Sequence, residues 1–225
     1  ALLRASRDAV KLLERYEYVD GGWGYYDFSI GTQHPSHGHA NSFTTATALV
    51  GLTMAEAHGV EVPPRLLRRA RRLINASRLP DGAYSYSFDF HFRAPRGVNK
   101  KKGSLARTPA CLAALTRAGD AVPTKRIVAA LDDLERFGHY LRIARKYPRP
   151  HETWFQNSGY FCFYGFYYAS DLFDDVPAAT AREHAQHIAS HLVPLQEKDG
   201  SWWDYQLYTY HKPYCTGYVL MTLAR

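Results

Sequence analysis

Two patterns of apolar and polar residues alternate along this chain. The first is amphipathic. Leu66, Ala70, Leu73 and Ser77 recur at helical spacing among charged residues, as do Ile127, Leu131, Leu134 and Leu141, and then Ala181, Ala185, Ile188 and Leu192. The N-terminal segment matches them with Leu2, Ala5, Ala9, Leu12 and Tyr16. One apolar stripe at the 3.6-residue period predicts four half-exposed helices. The second pattern is uncharged. Residues 42–55, 158–170 and 214–224 carry no charge, and residues 105–115 carry only Arg107. A helix that is apolar all round has to be buried on every side, so four buried helices are predicted to alternate with the four half-exposed ones.

The boundaries between these segments repeat as well. Val62-Pro63, Val122-Pro123 and Val176-Pro177 each precede a charged segment, where proline suits a helix start because its missing N–H leaves nothing unsatisfied. Asp20-Gly21-Gly22-Trp23, Asp81-Gly82-Ala83-Tyr84 and Asp199-Gly200-Ser201-Trp202 each follow a charged segment. They are spaced at multiples of about sixty residues, which marks a repeat architecture. Links from uncharged to charged segments are short, while those in the other direction are long (residues 23–41, 84–103 and 203–212). The long connectors are therefore expected to gather at one end, and their Trp, Tyr, His and Asp content makes that end the place to look for function.

Composition narrows this picture. With 225 residues, 22% of them charged, the chain reads as one globular domain, residues 1–225. Its opening at Ala1 inside a helical pattern suggests a piece of a longer protein. The net charge of +7 is concentrated in Arg65, Arg68, Arg69, Arg71 and Arg72, which are expected to form a solvated helix face or to meet an anionic partner. Basic and aromatic residues do not interleave, so no nucleic acid partner is expected. No apolar run is long enough for a transmembrane helix. Cys111, Cys162 and Cys215 lack metal or disulfide spacing and fall near one point of three successive uncharged segments, as small buried thiols. No cofactor and no metal are expected. His34, His37 and His39 have no acidic or thiol neighbour to complete a ligand set, and His184, His187 and His191 share one face of a charged helix as surface histidines.

Leu195-Gln196-Glu197-Lys198-Asp199-Gly200-Ser201-Trp202 resembles the Gln-x(n)-Gly-x-Trp repeat of the α/α-toroid superfamily, which holds the triterpene cyclases and the protein prenyltransferase β subunits. Asp20-Gly21-Gly22-Trp23 matches the second half of that motif and Asp81-Gly82-Ala83-Tyr84 is a weaker copy; the third repeat has Arg149-Pro150-His151-Glu152-Thr153-Trp154 instead. The chain is more narrowly similar to bacterial prenyltransferase/squalene oxidase repeat proteins. The resemblance implies an all-α fold, a partial or small α/α toroid of about four helix pairs, with an open α-solenoid as the alternative. The family's chemistry does not carry over. Asp171-Leu172-Phe173-Asp174-Asp175 departs from the cyclase Asp-x-Asp-Asp acid and lies at a short link. Of the zinc ligands of the prenyltransferases only His211 has a counterpart.

The candidate site is the long-connector end. Glu152, Asp204 and His211 are the acid/base candidates, since burial would raise a carboxyl pKa. Trp23, Tyr25, Asp27, Tyr84, Tyr86, Arg107, His151, Trp154, Tyr160, Tyr164, Trp203, Tyr208 and Tyr210 are the ligand-binding candidates. Aromatic faces suit a carbocation or a sugar ring. The expected ligand is a small apolar or isoprenoid-like molecule in a central cavity. The alternatives are an oligosaccharide, handled by a glycoside hydrolase or polysaccharide lyase, and a protein or peptide bound by a non-catalytic repeat module.

Overall fold

The computed structural model describes residues 2–25, 40–88, 97–206 and 210–225. Their regular structure is helical: α1 (Leu2–Arg15), α2 (Ser42–Ala57), α3 (Pro64–Ala76), α4 (Arg107–Arg117), α5 (Thr124–Phe137), α6 (His139–Ala144), α7 (Cys162–Ser170), α8 (Ala178–Leu192) and α9 (His211–Leu223). Short 3₁₀ turns join them, and the described residues hold no strand, only isolated bridges such as Asn41–Ser87. The two sequence patterns become two rows. The uncharged helices pack consecutively, α2 on α4, α4 on α7 and α7 on α9. The charged helices lie along them: α1 and α3 on α2, α5 on α4, and α8 on α5 and α9. Pro63, Pro123 and Pro177 each occupy the N-cap, one residue before the first turn of α3, α5 and α8, in extended backbone that proline already prefers.

Each charged helix that precedes a glycine motif ends in the same turn. The N–H groups of Tyr18, Leu79 and Glu197 donate to the carbonyls of Gly22, Ala83 and Ser201, four residues on. The N–H groups of Gly21, Gly82 and Gly200 donate back to the carbonyls of Tyr18, Leu79 and Glu197. These glycines have φ of 98°, 90° and 82°, a left-handed backbone that side chains disfavour. The aromatic residue that follows is then fixed from two sides. The indole N–H groups of Trp23 and Trp202 donate to the carbonyls of Leu13 and Leu192, both at 2.8 Å, at the ends of α1 and α8. Their backbone N–H groups donate to the hydroxyls of Thr45 on α2 and Thr216 on α9, both at 3.0 Å; at Tyr84 the acceptor is the Ser104 hydroxyl at 3.2 Å. Gln196 Nε2 donates to the Gly200 carbonyl at 3.0 Å. The motif ties a charged helix to an uncharged one by satisfying orphan groups at helix ends.

Three expectations need correction. The α1 stripe is out of phase: Leu2, Ala5, Ala9 and Leu12 are exposed, whereas Val10 is buried and Leu13 packs on the core. Helix α9 is buried along one side only, through Cys215, Val219 and Thr222, and Leu220, Met221 and Leu223 are exposed. It is the last of its row, with α7 and α8 as its main neighbours among the described residues. The α3 arginines are only in part a free solvated face: Arg68 and Arg72 are exposed as expected, and three others are paired. Arg65 pairs with Glu14 and Glu17, Arg69 with Glu17, and Arg71 with Asp120. Each pair reaches a neighbouring end or connector, so the cations serve as fasteners along the outer row.

Candidate functional site

A cavity of about 640 Å³ opens between α2 on one side and α7 and α9 on the other, with α1 at its edge. Its size falls within the usual range for small-molecule sites. The wall is mainly aromatic: Trp23, Tyr25, Phe43, Tyr160, Phe161, Tyr164, Tyr214 and Tyr218, with Leu13, Ala48 and Gly51. Phe43, the second residue of α2, organises this wall. Its ring centroid lies 5.0 Å from Phe161, 5.2 Å from Tyr86, 6.0 Å from Tyr25 and 6.4 Å from Tyr164, in tilted and edge-on contacts that aromatic quadrupoles favour. Two of the wall's hydroxyls bond back into the protein. Thr44 Oγ1 donates to the Trp23 carbonyl at 2.7 Å and the Tyr164 hydroxyl to the Phe43 carbonyl at 3.1 Å. Desolvation holds the Tyr164 phenol well above its ordinary pKa, so it stays neutral.

One corner of the cavity is polar. The Tyr25 and Tyr86 hydroxyls are 2.6 Å apart, and the Tyr160 hydroxyl interacts with both. Tyr160 also lies 2.9 Å from His151 Nε2. His151 Nδ1 is 2.8 Å from the Gln156 carbonyl, and a carbonyl only accepts, so Nδ1 carries the proton. Burial, with the Arg107 charge adding to it, pushes the His151 pKa down, so the ring is neutral and Nε2 accepts from Tyr160. Behind this corner sits Arg107, 1% exposed. Its guanidinium donates to the Gly103 carbonyl at 2.9 Å and to the carbonyls of Tyr84 and Val98. It lies 5.3 Å from the Tyr86 ring centroid and 5.7 Å from that of Phe161. Backbone carbonyls and ring faces are thus what surround this cation, and its Nε finds no acceptor.

The structure therefore gathers part of the expected set. Trp23, Tyr25, Tyr160 and Tyr164 line the cavity, and Tyr86, His151 and Arg107 stand behind it. The others lie elsewhere. Tyr84 is fully buried, its hydroxyl accepting from Arg126 at 2.9 Å. Glu152 is exposed, 3.6 Å from Arg149, and lines a separate hollow with Trp154, Ile143 and Tyr147; Trp154 is 67% exposed. Asp204 is buried outside the cavity lining. Its carboxylate accepts from the Phe163 N–H and the Cys215 thiol, both at 3.1 Å, and burial lifts its pKa to about 6. Trp203 and His211 pack edge to face at 5.6 Å beside Lys146, again outside the cavity lining, and Tyr210 is exposed. Asp27 and Tyr208 lie outside the described residues, as do His34, His37 and His39. The three acid/base candidates are accordingly not brought together at the cavity.

Phe43, Phe161, Tyr214 and Tyr218 line the cavity and escaped the sequence reading. Tyr214 and Tyr218 stand one helical turn apart, a spacing that places both on one face. Read with the i, i+4 rule, that pair was recoverable. The cysteines are buried and free as expected, and burial pushes the Cys111 thiol up to about 12. His184 is not a surface residue: it is buried between Asp132 on α5, at 3.3 Å, and Glu135, at 3.2 Å. Asp171, the first residue of the acid-rich stretch, is held by Arg117 and Arg225. No group of three or more His, Cys, Asp or Glu among the described residues could hold a metal ion, and no described helix is long and apolar enough to cross a membrane. No protein-family model matches the chain, and no curated protein matches it in sequence.

Proposed function

We propose that this protein binds an apolar, isoprenoid-like ligand in the aromatic cavity, on an α/α-toroid framework related to the triterpene cyclases and prenyltransferase β subunits. The observation that carries the reading is the cavity itself: about 640 Å³ and walled by eight aromatic residues, with the Thr44 and Tyr164 hydroxyls bonded back into the protein. Such a surface desolvates the body of an apolar ligand at little cost in polar groups. The toroid reading is supported by the two rows of helices and by the glycine turn, which recurs with the same hydrogen bonds. Binding rather than turnover is the reading, because Glu152, Asp204 and His211 all lie outside the cavity lining. The same placement leaves a two-carboxylate hydrolase without support, since Glu152 is at solvent and Asp204 is buried elsewhere.

Gly51 supplies the test. It lines the cavity, and a Cβ built on it meets nothing within 4 Å. Gly51→Leu should project into the cavity while raising helix propensity by up to about 1 kcal/mol. Titration with polyprenyl and oligosaccharide probes, followed by tryptophan fluorescence and calorimetry, should show polyprenyl binding to the wild type and at least a tenfold loss in Gly51→Leu, with an unchanged or higher melting temperature. Equal polyprenyl binding by both proteins, or binding of oligosaccharides alone, would remove the proposal.

A further inference from the structure

Resting on that reading, we infer that the cavity's polar corner selects a ligand with a hydrogen-bond donor, an apolar alcohol, because Tyr160 is locked as an acceptor by His151. The His151 Nδ1 proton is committed to the Gln156 carbonyl at 2.8 Å. Nε2 is then a lone pair, and at 2.9 Å it takes the proton of the Tyr160 hydroxyl. A phenol has one proton, so the Tyr160 oxygen meets everything else through its lone pairs. It has two of them, so it can accept from a neighbouring tyrosine and from a ligand at once. Tyr160 and Tyr25, whose hydroxyls interact, both belong to the cavity wall.

The lock is built into the fold. His151 sits at a φ of 62°, its backbone N–H donates to the Ser158 hydroxyl at 2.9 Å, and its ring packs edge-on against Tyr86 at 5.2 Å. The imidazole therefore has little freedom to turn and offer a donor instead. The charge behind the corner sharpens the choice. Arg107 is a buried guanidinium surrounded by carbonyls and ring faces, and its field acts on His151 and on the tyrosines. An ammonium group, which is also a donor, would meet the like charge of Arg107. An ether, ketone or ester oxygen would bring its lone pairs against those of Tyr160. A neutral hydroxyl satisfies both constraints: it donates to Tyr160, and its apolar body fills the rest of the wall. The corner reads as a recognition device and not as a base, since accepting a proton on His151 would add a second cation beside Arg107.

The experiment compares farnesol with its methyl ether and with farnesylamine, each titrated against the wild type and Tyr160→Phe. Farnesol should bind wild type about tenfold more tightly than the ether, as expected for one buried hydrogen bond and one otherwise unpaired acceptor. It should also bind more tightly than the amine. In Tyr160→Phe the ether should bind as before, and the gap between alcohol and ether should close. His151→Phe, which frees the Tyr160 proton, should let the ether bind at least as well as the alcohol; melting curves establish that each variant is folded. Binding of alcohol and ether with equal affinity by wild type would overturn this inference while leaving the apolar cavity intact. Failure of all three probes to bind would overturn both. A gap that persists in Tyr160→Phe would place the recognition elsewhere and also defeat it.

Discussion

The three turns that carry the Asp-Gly motif are built on glycine, and the corresponding one before α7 is not. In the glycine turns the left-handed positions fall on Gly21, Gly22, Gly82 and Gly200. Before α7 they fall on Lys146, His151, Phe155 and Gln156, with φ between 57° and 63°. Such residues in the left-handed region carry strain that only surrounding contacts can hold. Those contacts are present. Lys146 N–H donates to the Asp204 carbonyl, Gln156 Oε1 accepts from the Val98 N–H at 3.1 Å, and Phe155 packs edge-on against Tyr140 at 4.8 Å. The glycine turns close on themselves and hold helices together. The irregular turn is held by its neighbours, and its side chains are free to build the corner where His151 meets Tyr160. The difference separates scaffold from site.

Removing an aromatic anchor is the strongest way to probe the contrast. Trp202→Ala deletes a buried ring and its bond to Leu192, and should cost about 3–5 kcal/mol in urea unfolding. Trp154→Ala, at the matching motif position of the irregular turn but 67% exposed, should stay within about 0.5 kcal/mol. Comparable losses would mean that the two turns do the same work.

Glycine substitutions grade the regular turns. At Gly22 a Cβ would come within 2.6 Å of Thr45 Oγ1 and 2.9 Å of a Leu73 methyl, on top of a φ of 73°. At Gly200 the nearest atom is 3.9 Å away, leaving backbone strain alone. Gly22→Ala should therefore lose about 3–4 kcal/mol, and Gly200→Ala about 1–2 kcal/mol. Equal losses would show that close packing behind Trp23 is not what requires Gly22.

Asp204 joins the two kinds of turn, since it follows Trp202 and caps the backbone of α7 at Phe163. Burial lifts its folded pKa to about 6, above the roughly 3.9 of an unfolded chain. The folded state therefore binds more protons between these values. Stability should fall by up to about 3 kcal/mol as pH rises from about 4 to about 6, and level off above that. Asp204→Asn should flatten this decline in a pH series of unfolding curves; an unchanged slope would assign it to another group. A smaller effect is expected at Ser158→Ala, which removes the acceptor of the His151 N–H and should lose about 1 kcal/mol. Thr216→Val, which removes the acceptor of the Trp202 N–H, is its counterpart in a regular turn, and a similar loss is expected there.

Charge pattern alone located all four uncharged helices to within a few residues, because a helix without charge gains most by turning at least one side to the interior. The glycine motifs were legible for the same kind of reason: a positive φ and a ring beside it constrain residue type locally. The phase of α1 was not, because which side of a short amphipathic helix meets the core depends on its neighbour, and Leu13 outcompeted Leu12. The exposed side of α9 was not either, since end position in a row is a property of the assembly. The site divides along the same line. Sequence named Tyr25, Tyr86, Arg107, His151 and Tyr160 as separate candidates spread over more than half the chain. Only packing could bring Tyr160 within 2.9 Å of His151, place Arg107 behind Tyr86, and leave Glu152 at the surface. Local pattern constrains what a residue requires of its surroundings, whereas contacts between distant segments decide which residues meet.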